Sequence, residues 1–474
     1  MKIIIEAESF QNTHLLELVQ TTNESVNLVF LAKSNNILFK VDLPQNIEVI
    51  AYENLTYDLM SYSIEDINLI EKVTTKILSA HQTFLLLDRR SFSFKFKNGF
   101  GNNNKIAYAV VKANIYLTLY KDKKPKYVYF RSTPHHIDNW IKALICEELG
   151  IKILVSDIWN FRWRSSLFLG FRKDRVALKL PEDLADCKKP DEISLIDKYL
   201  SKLCGDYENA IPEYEQKRFI YNDKKYYSFY TDVKRHWNRP HYILNNYLCY
   251  RKYKKLSVNP IENENYVVYF LQYQPERTSL PEAFGFEQQI RAINLLRACT
   301  PKEITIYVKE HPSTFMNKCD VFNRHPYIYE IISKTKGVKL LNLQNDNFQI
   351  IDRSILVATL TGTVGNEALA RGIPVVYFGL ARNTPKYGVE AYSSPSKLSE
   401  FILTCTSGLN KSIIKESFRD FIIEGLKYSA SGLEEISEQD FNFNFSFEKT
   451  KFTSEFKILK YLLQDKIKIE PVET

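Results

Sequence analysis

At 474 residues, 45% hydrophobic and 25% charged, the chain is too long for one ordinary core and too apolar to stay disordered, so two globular domains are expected. Its net charge of +8, from 64 Lys and Arg against 56 Asp and Glu, is a mild bias. It suits an anionic substrate or an anionic membrane surface and argues against a nucleic-acid-binding footprint. The seven cysteines (Cys146, Cys187, Cys204, Cys249, Cys299, Cys319, Cys405) are dispersed, with neither a CxxC nor metal-ligand spacing, which reads as reduced thiols. Acids at Glu6 and Glu8 come too early for a signal peptide, and no apolar run reaches the roughly 20 residues of a membrane span. The expectation is a cytoplasmic protein whose membrane contact, if any, is peripheral.

In chain order, Ile3–Ile5, Val26–Leu31, Ile37–Val41 and Ile47–Ile50 are short apolar runs of strand type, with a helix around Thr13–Thr21. Ile64 to Phe84 has helical spacing, Asn98 to Lys105 is loop by composition, and Ile106 to Tyr120 is read as a helix. From Lys126 the pattern sharpens: strand Tyr127–Phe130, turn Arg131–His136, amphipathic helix Ile137–Leu149 stopped by Gly150, and strand Ile151–Val155. Ser156–Arg164 is then read as a segment leaving a strand's C-terminal end, where α/β sheets place function. Asp157 there is either a general acid or base, or a helix N-cap. Leu180 to Leu203 has charged residues at helical spacing, and Tyr207 to Lys255, dense in Tyr, Lys, Arg and Asn, is read as an irregular helical bridge or an acceptor-binding region.

Pro260 and a polar cluster place a domain boundary near Ser257–Asn265. Beyond it come strand Tyr266–Leu271, loop Gln272–Pro281, helix Glu282–Arg297, strand Ile304–Val308, helix Tyr327–Thr335, strand Val338–Leu341 and helix Phe348–Arg353. A βαβ unit follows, with strand Ile355–Leu360, turn Thr361–Gly365, helix Asn366–Arg371 and strand Pro374–Phe378. Regular alternation of strand and helix implies a parallel, doubly wound sheet. Lys397 to Leu463 is mostly helical. Its last segment, Phe452 to Ile467, is amphipathic and either packs on a domain or touches a membrane.

Three loops follow strands of this sheet and should gather at one edge. They are Gln272–Ser279, Lys309-Glu310-His311-Pro312, and Thr361-Gly362-Thr363 with Glu367 in the helix behind it. Together they offer a carboxylate in Glu276, an imidazole, a cation, hydroxyls and a glycine-bearing turn able to approach an anion. The turn also admits a plainer reading, a tight βα connection with no ligand. No His/Asp cluster has ligand spacing, so no metal is expected.

The stretches Tyr269-Phe-Leu-Gln-Tyr-Gln-Pro-Glu-Arg-Thr-Ser279, Ile306-Tyr-Val-Lys-Glu-His-Pro312 and Thr361-Gly-Thr-Val-Gly-Asn-Glu-Ala-Leu-Ala-Arg-Gly-Ile-Pro-Val375, with Val128-Tyr-Phe-Arg-Ser-Thr-Pro-His135, resemble the bacterial capsule polysaccharide biosynthesis family, which includes retaining β-Kdo transferases. The resemblance covers roughly residues 125–170 and 260–385. It implies a GT-B architecture: an N-terminal Rossmann-like acceptor-side domain (1–256), a C-terminal Rossmann-like donor domain (257–440) and a helical tail (441–474). The implied donor is a CMP-activated 3-deoxy-ulosonic acid, the acceptor a surface polysaccharide or lipid-linked glycan, and no cofactor is needed. Gln272, Gln274, Lys309, His311, Pro312, Thr361, Gly362 and Thr363 would hold the donor, and Glu367 its ribose. Arg277, with Arg162 and Arg164, would suit the donor's carboxylate. Glu276 takes the place of the family's Asp nucleophile, one methylene longer. Asp157 falls loosely where a second acid would activate the acceptor hydroxyl. Two other readings remain open. One is a GT-B transferase with a UDP-sugar or polyol-phosphate donor, the other a non-catalytic scaffold in capsule assembly.

Overall fold

A computed structural model describes residues 1–55, 63–80, 82–83, 86, 102–159, 163–185, 190–205, 226–274, 276–316, 324–381, 384–433 and 445–469. Arg162, residues 98–101 of the expected loop 98–105 and residues 207–225 lie outside them, and the rest of that expected loop, 102–105, is helical. The chain divides into two compact units, Met1–Asp191 with Glu424–Thr474, and Glu192–Ile423.

The first unit carries strands β1 (Lys2–Glu6), β2 (Asn27–Ala32), β3 (Ile47–Ala51), β4 (Tyr127–Phe130), β5 (Lys152–Ile158), β6 (Arg164–Leu169), β7 (Val176–Ala177) and, from the end of the chain, Ala430–Ser431. Its helices are α1 (Asn12–Thr21), α2 (Ile64–Ser79), α3 (Asn102–Lys123), α4 (Ile137–Glu148) and α5 (Glu182–Ala185). The spatial order β3-β2-β1-β4-β5 is parallel throughout, the Rossmann-like order in which connections reverse beside the first strand. β6 closes that side antiparallel to β5.

Two expectations fail here. Ile37–Lys40 is a 3-10 turn, not a strand, because the Asn36 side chain caps it by accepting from Leu38 N at 3.1 Å. Ser156–Ile158 is not a loop: β5 continues through it, with Asp157 opposite Ser166 on β6.

The second unit opens with helices α6 (Pro190–Cys204), α7 (Phe229–His236) and α8 (Pro240–Leu256), then β8 (Ser257–Val258). There follow β9 (Tyr266–Phe270), α9 (Ile290–Cys299), β10 (Thr305–Lys309), α10 (Pro326–Lys334), β11 (Val338–Leu341), α11 (Asn347–Arg353), β12 (Leu356–Thr359), α12 (Val364–Ala370), β13 (Val375–Tyr377), β14 (Val389–Ala391), α13 (Pro395–Thr406) and α14 (Lys411–Glu424). Among the described residues every pair in its sheet is parallel, in the order β14-β13-β12-β9-β10-β11-β8. The inner strands β9, β10, β12 and β13 are buried on both faces, which is why they read as apolar runs.

The division falls near residue 191, not 256. Tyr253 and Cys249 of α8 are part of the second unit's core, with Phe315, Tyr329 and Leu340, so the bridging region belongs to that unit. The helix expected from Glu282 begins only at Ile290. The segment before it is a run of turns in which Phe284 and Gly285 have positive φ and Glu287 Oε1 accepts from Gly285 N at 3.1 Å. The end of the chain returns to the first unit as β15 (Ala430–Ser431) and α15 (Phe447–Leu463). Ile458, Leu459, Leu462 and Leu463 of α15 are fully buried with Leu15, Leu18 and Leu167, and Ser454 Oγ meets Ser165 Oγ of β6 at 2.7 Å. Each such aliphatic side chain contributes about 1.5–3 kcal/mol by burial. The helix is a structural layer, and its apolar face is not available to a membrane. No helix among the described residues is long and apolar enough to cross one.

Candidate functional site at the strand ends of the second sheet

The connections of the second sheet reverse between β9 and β12, so the loops that follow these strands flank the crevice where open α/β sheets take ligands. The loop after β10 stands next to them. Leu271 N donates to Lys309 O at 2.9 Å, which starts the first two loops at the same level.

The first loop is pinned by Gln289, just ahead of α9. Its Oε1 accepts from Gln272 N at 2.7 Å and its Nε2 donates to Gln272 O at 2.9 Å, an imitation of a strand partner. Gln274 Nε2 donates to Glu287 O at 2.8 Å. A relay then sets the carboxylate of Glu276: Gln272 Nε2 donates to Thr278 Oγ1 at 3.1 Å, and Thr278 Oγ1 donates to Glu276 Oε2 at 3.3 Å. Thr361 Oγ1 donates to Thr278 O at 3.0 Å, tying the third loop to the first. Glu276 is half-buried and Thr363 exposed at the lip of the turn.

The glycines of that turn serve close packing. A Cβ on Gly362 would lie 2.8 Å from Thr359 Oγ1 and 3.1 Å from Gln272 Oε1, and one on Gly365 only 1.9 Å from the Tyr377 hydroxyl. The N–H groups of Gly365 and Asn366 donate to the carbonyls of Gly362 and Thr363. The space beside these glycines is thus filled by the protein's own side chains.

In the second loop, Pro312 opens a 3-10 turn capped by His311, whose Nδ1 accepts from Ser313 N at 3.2 Å. In the neutral ring the proton then sits on Nε2, a donor. The ring lies 5.7 Å from that of Tyr273 in the first loop.

Glu310 between them is almost fully buried and was not among the expected site residues. It takes Arg324 Nε at 2.8 Å and Nη2 at 3.2 Å, the Tyr329 hydroxyl at 2.8 Å, Thr314 Oγ1 at 3.1 Å and His311 N at 2.8 Å. Arg324 also reaches Gln272 O at 2.9 Å and Gln274 Oε1, so this one guanidinium joins the first two loops. No sequence spacing announces it: Arg324 sits before a His-Pro in polar surroundings. The only signal is the acidic residue inside Lys-Glu-His-Pro, which follows an apolar strand and needs a cation once buried.

Three expected ligand-binding residues are placed elsewhere. Lys309 is buried, and its Nζ donates to Asn345 O at 2.5 Å and to Asn347 Oδ1. It is a strut between β10 and the entry to α11, not an open phosphate ligand. Arg277 is turned onto buried Glu282, Nε to Oε1 at 3.2 Å. Arg164, in the first unit, is wholly buried and bonds Ser429 Oγ at 2.9 Å and Ala185 O at 2.6 Å. Asp157, also in the first unit, is fully buried inside β5 and paired with Arg175 Nη1 at 3.1 Å. That is a structural ion pair rather than an exposed base or an N-cap. Glu367 is half-buried in α12, near enough to Lys309 for its charge to be felt.

Burial pushes the Lys309 ammonium down to about 7, against the opposing pull of Asp346 and Glu367. Between about pH 7 and the ordinary lysine range the unfolded chain holds a proton that the folded one has released, so this group makes stability rise with pH across that window. Lys309→Met removes the rise. Urea unfolding at pH 7 and pH 9 should show the wild type gaining on the variant as pH increases. A difference independent of pH would sink the assignment.

Among the described residues no three His, Cys, Asp or Glu side chains group as metal ligands. A surface groove of about 790 Å³ lies between α9 and α13, lined by Cys299, Ser396, Glu400 and Thr404. It is on the helical layer, away from the strand ends, and its lining lacks cations for a nucleotide.

No family model and no curated protein matches the chain. Solved structures similar to it include KpsC, a β-Kdo 2,4-transferase of Thermosulfurimonas dismutans, at 12% identity over 63% of this chain and 86% of that one, TM-score 0.29. A UDP-GlcNAc 2-epimerase from Methanocaldococcus jannaschii is 12% identical over 90% and 99%, TM-score 0.25. The spinosyn rhamnosyltransferase SpnG is 9% identical over 90% and 96%, TM-score 0.24. The overlap is low in each case. Fold and site rest on this chain's own topology: two α/β units, each built on a Rossmann-like strand order.

Proposed function

We propose that the second unit binds a nucleotide-activated sugar at the strand ends of β9, β10 and β12, and that the protein is a glycosyltransferase. The observation that carries this is the joining of three polar loops at the switch point. Thr361 is bonded to Thr278, and Arg324 to both Glu310 and Gln272, with Glu276 held by the Gln272–Thr278 relay. His311 Nε2 and the exposed hydroxyl of Thr363 supply donors for a leaving phosphate, and no metal is required for a nucleoside monophosphate to depart. Glu367 is the candidate for the ribose.

We assign the donor as a CMP-activated 3-deoxy-ulosonic acid such as Kdo or a related nonulosonate, and the acceptor as a surface polysaccharide or lipid-linked glycan. The sequence resemblance supports this donor, as does a lone carboxylate at the position of Glu276. The donor-carboxylate contacts expected of Arg164 and Arg277 do not support it, since both are internal struts.

Thermal unfolding with CMP and with UDP tests the reading. A ligand at a hundred times its Kd stabilises by about 2.7 kcal/mol, so CMP should raise the melting temperature by several degrees and UDP should not. A preference for UDP would replace the donor, and no response to either would leave a scaffold. His311→Ala should weaken CMP about tenfold, the worth of one hydrogen bond to a charged group; unchanged affinity would remove His311 from the donor site.

A further inference from the structure

We propose that the outer face of α7 and α8 is a docking surface for an anionic lipid bilayer. The helices are fixed from beneath. Tyr242, Asn246, Cys249 and Tyr253 are buried, Asn245 Nδ2 donates to Arg324 O at 2.9 Å, and Glu310 N donates to the Tyr253 hydroxyl at 3.1 Å. The opposite face carries large apolar side chains in the open: Phe229, Tyr230, Trp237, Leu244 and Leu248, of which Trp237 is 77% exposed. Five of the fourteen exposed large hydrophobics among the described residues therefore fall within twenty positions. The two helices that carry them pack on each other. Leu244, Leu248, Arg251 and Lys255 recur at the 3–4 spacing of a single helix face, and the Phe229 ring meets Tyr247 of α8 at 5.9 Å.

Charge names the occupant. Residues 229–256 hold seven Lys or Arg and one acid, a net +6 in a chain whose total is +8. The acid, Asp232, is buried beside Arg235, whose guanidinium turns inward to donate to Met316 O at 3.2 Å, and Lys252 is neutralised by Glu330, so the outward charge is carried by the other five cations. Aromatic and leucine side chains amid lysine and arginine, with no exposed carboxylate on the segment itself, are the composition of an interfacial helix on anionic lipid. A nucleic acid would use the cations and the aromatics but not Leu244 and Leu248. This inference does not rest on the donor reading, because vesicle binding is read without nucleotide and either can fail alone.

The test is cosedimentation of the full chain with vesicles of phosphatidylcholine alone and of equal parts phosphatidylcholine and phosphatidylglycerol, with and without a competing oligonucleotide. Tryptophan emission is followed in parallel. Of four tryptophans, Trp140, Trp159 and Trp163 are buried, so a blue shift on binding reports Trp237. The expected result is binding and a blue shift with anionic vesicles only, weakened by salt. Lys254→Gln with Lys255→Gln should reduce affinity at least about tenfold, each cation near such a surface being worth about fivefold. Leu244→Ser with Leu248→Ser should abolish the shift while leaving the melting temperature in place. Equal binding to both vesicles, no binding to the anionic ones, displacement by the oligonucleotide, undiminished binding by both variants, or a patch that only joins copies of the chain would each overturn it.

Discussion

Arg324→Ala should lower stability by about 3–5 kcal/mol, the cost of leaving a buried carboxylate without its cation. The side chain is buried with Glu310, and the same guanidinium holds Gln272 O and Gln274 Oε1, so its loss also frees the first two loops from each other. Glu310 would keep Tyr329, Thr314 and His311 N as donors, which moderates the penalty without cancelling it. Urea unfolding of Arg324→Ala, Glu310→Ala and the double variant reads the coupling. The double variant should lose clearly less than the sum of the singles. Simple additivity would mean that the pair is not a unit, and a single-variant loss below about 1 kcal/mol would mean that it does not hold the site.

How much of this the sequence discloses depends on how local the cause is. The strands of the second sheet are legible because burial on both faces requires continuous apolar runs, and the strand-end loops follow from them with Gln272, Glu276, His311 and Thr361 in place. What is not legible is decided by distant partners. Lys309 ends a strand at the expected edge, yet its amine turns toward Asn345 and Asn347, some 36 residues on in the chain. Asp157 resembles a loop residue until β6 pairs with it and Arg175 neutralises it. The Gly residues of Thr361–Gly365 read as room for an anion, while Tyr377 and Gln272 occupy that room. The helices before residue 257 are recognisable as helices, but their membership of the second unit depends on Tyr253 and Cys249 meeting a core assembled later in the chain.

Glu276→Gln should lower the rate of sugar transfer at least about a thousandfold while leaving CMP affinity within about twofold. The amide keeps the side chain's length and can still accept from Thr278, so what is lost is the negative charge and the nucleophilic oxygen. In a retaining transfer that oxygen bonds to the anomeric carbon as the bond to the phosphate oxygen breaks, and CMP leaves with the electron pair. The acceptor hydroxyl then displaces the carboxylate, and its proton passes to the departed CMP phosphate or to solvent. A neutral amide supports neither step, and removing a residue that bonds only in reaction lowers kcat rather than binding. Glu276→Asp keeps the charge one methylene short and should retain part of the activity, which a purely structural role at Thr278 would not favour over the amide. The pair is read by CMP release and product mass across a panel of CMP-activated ulosonic acids. If the glutamine variant turns over at near the native rate, Glu276 is not the nucleophile. If both variants lose nucleotide affinity equally, the carboxylate is holding the loop rather than reacting.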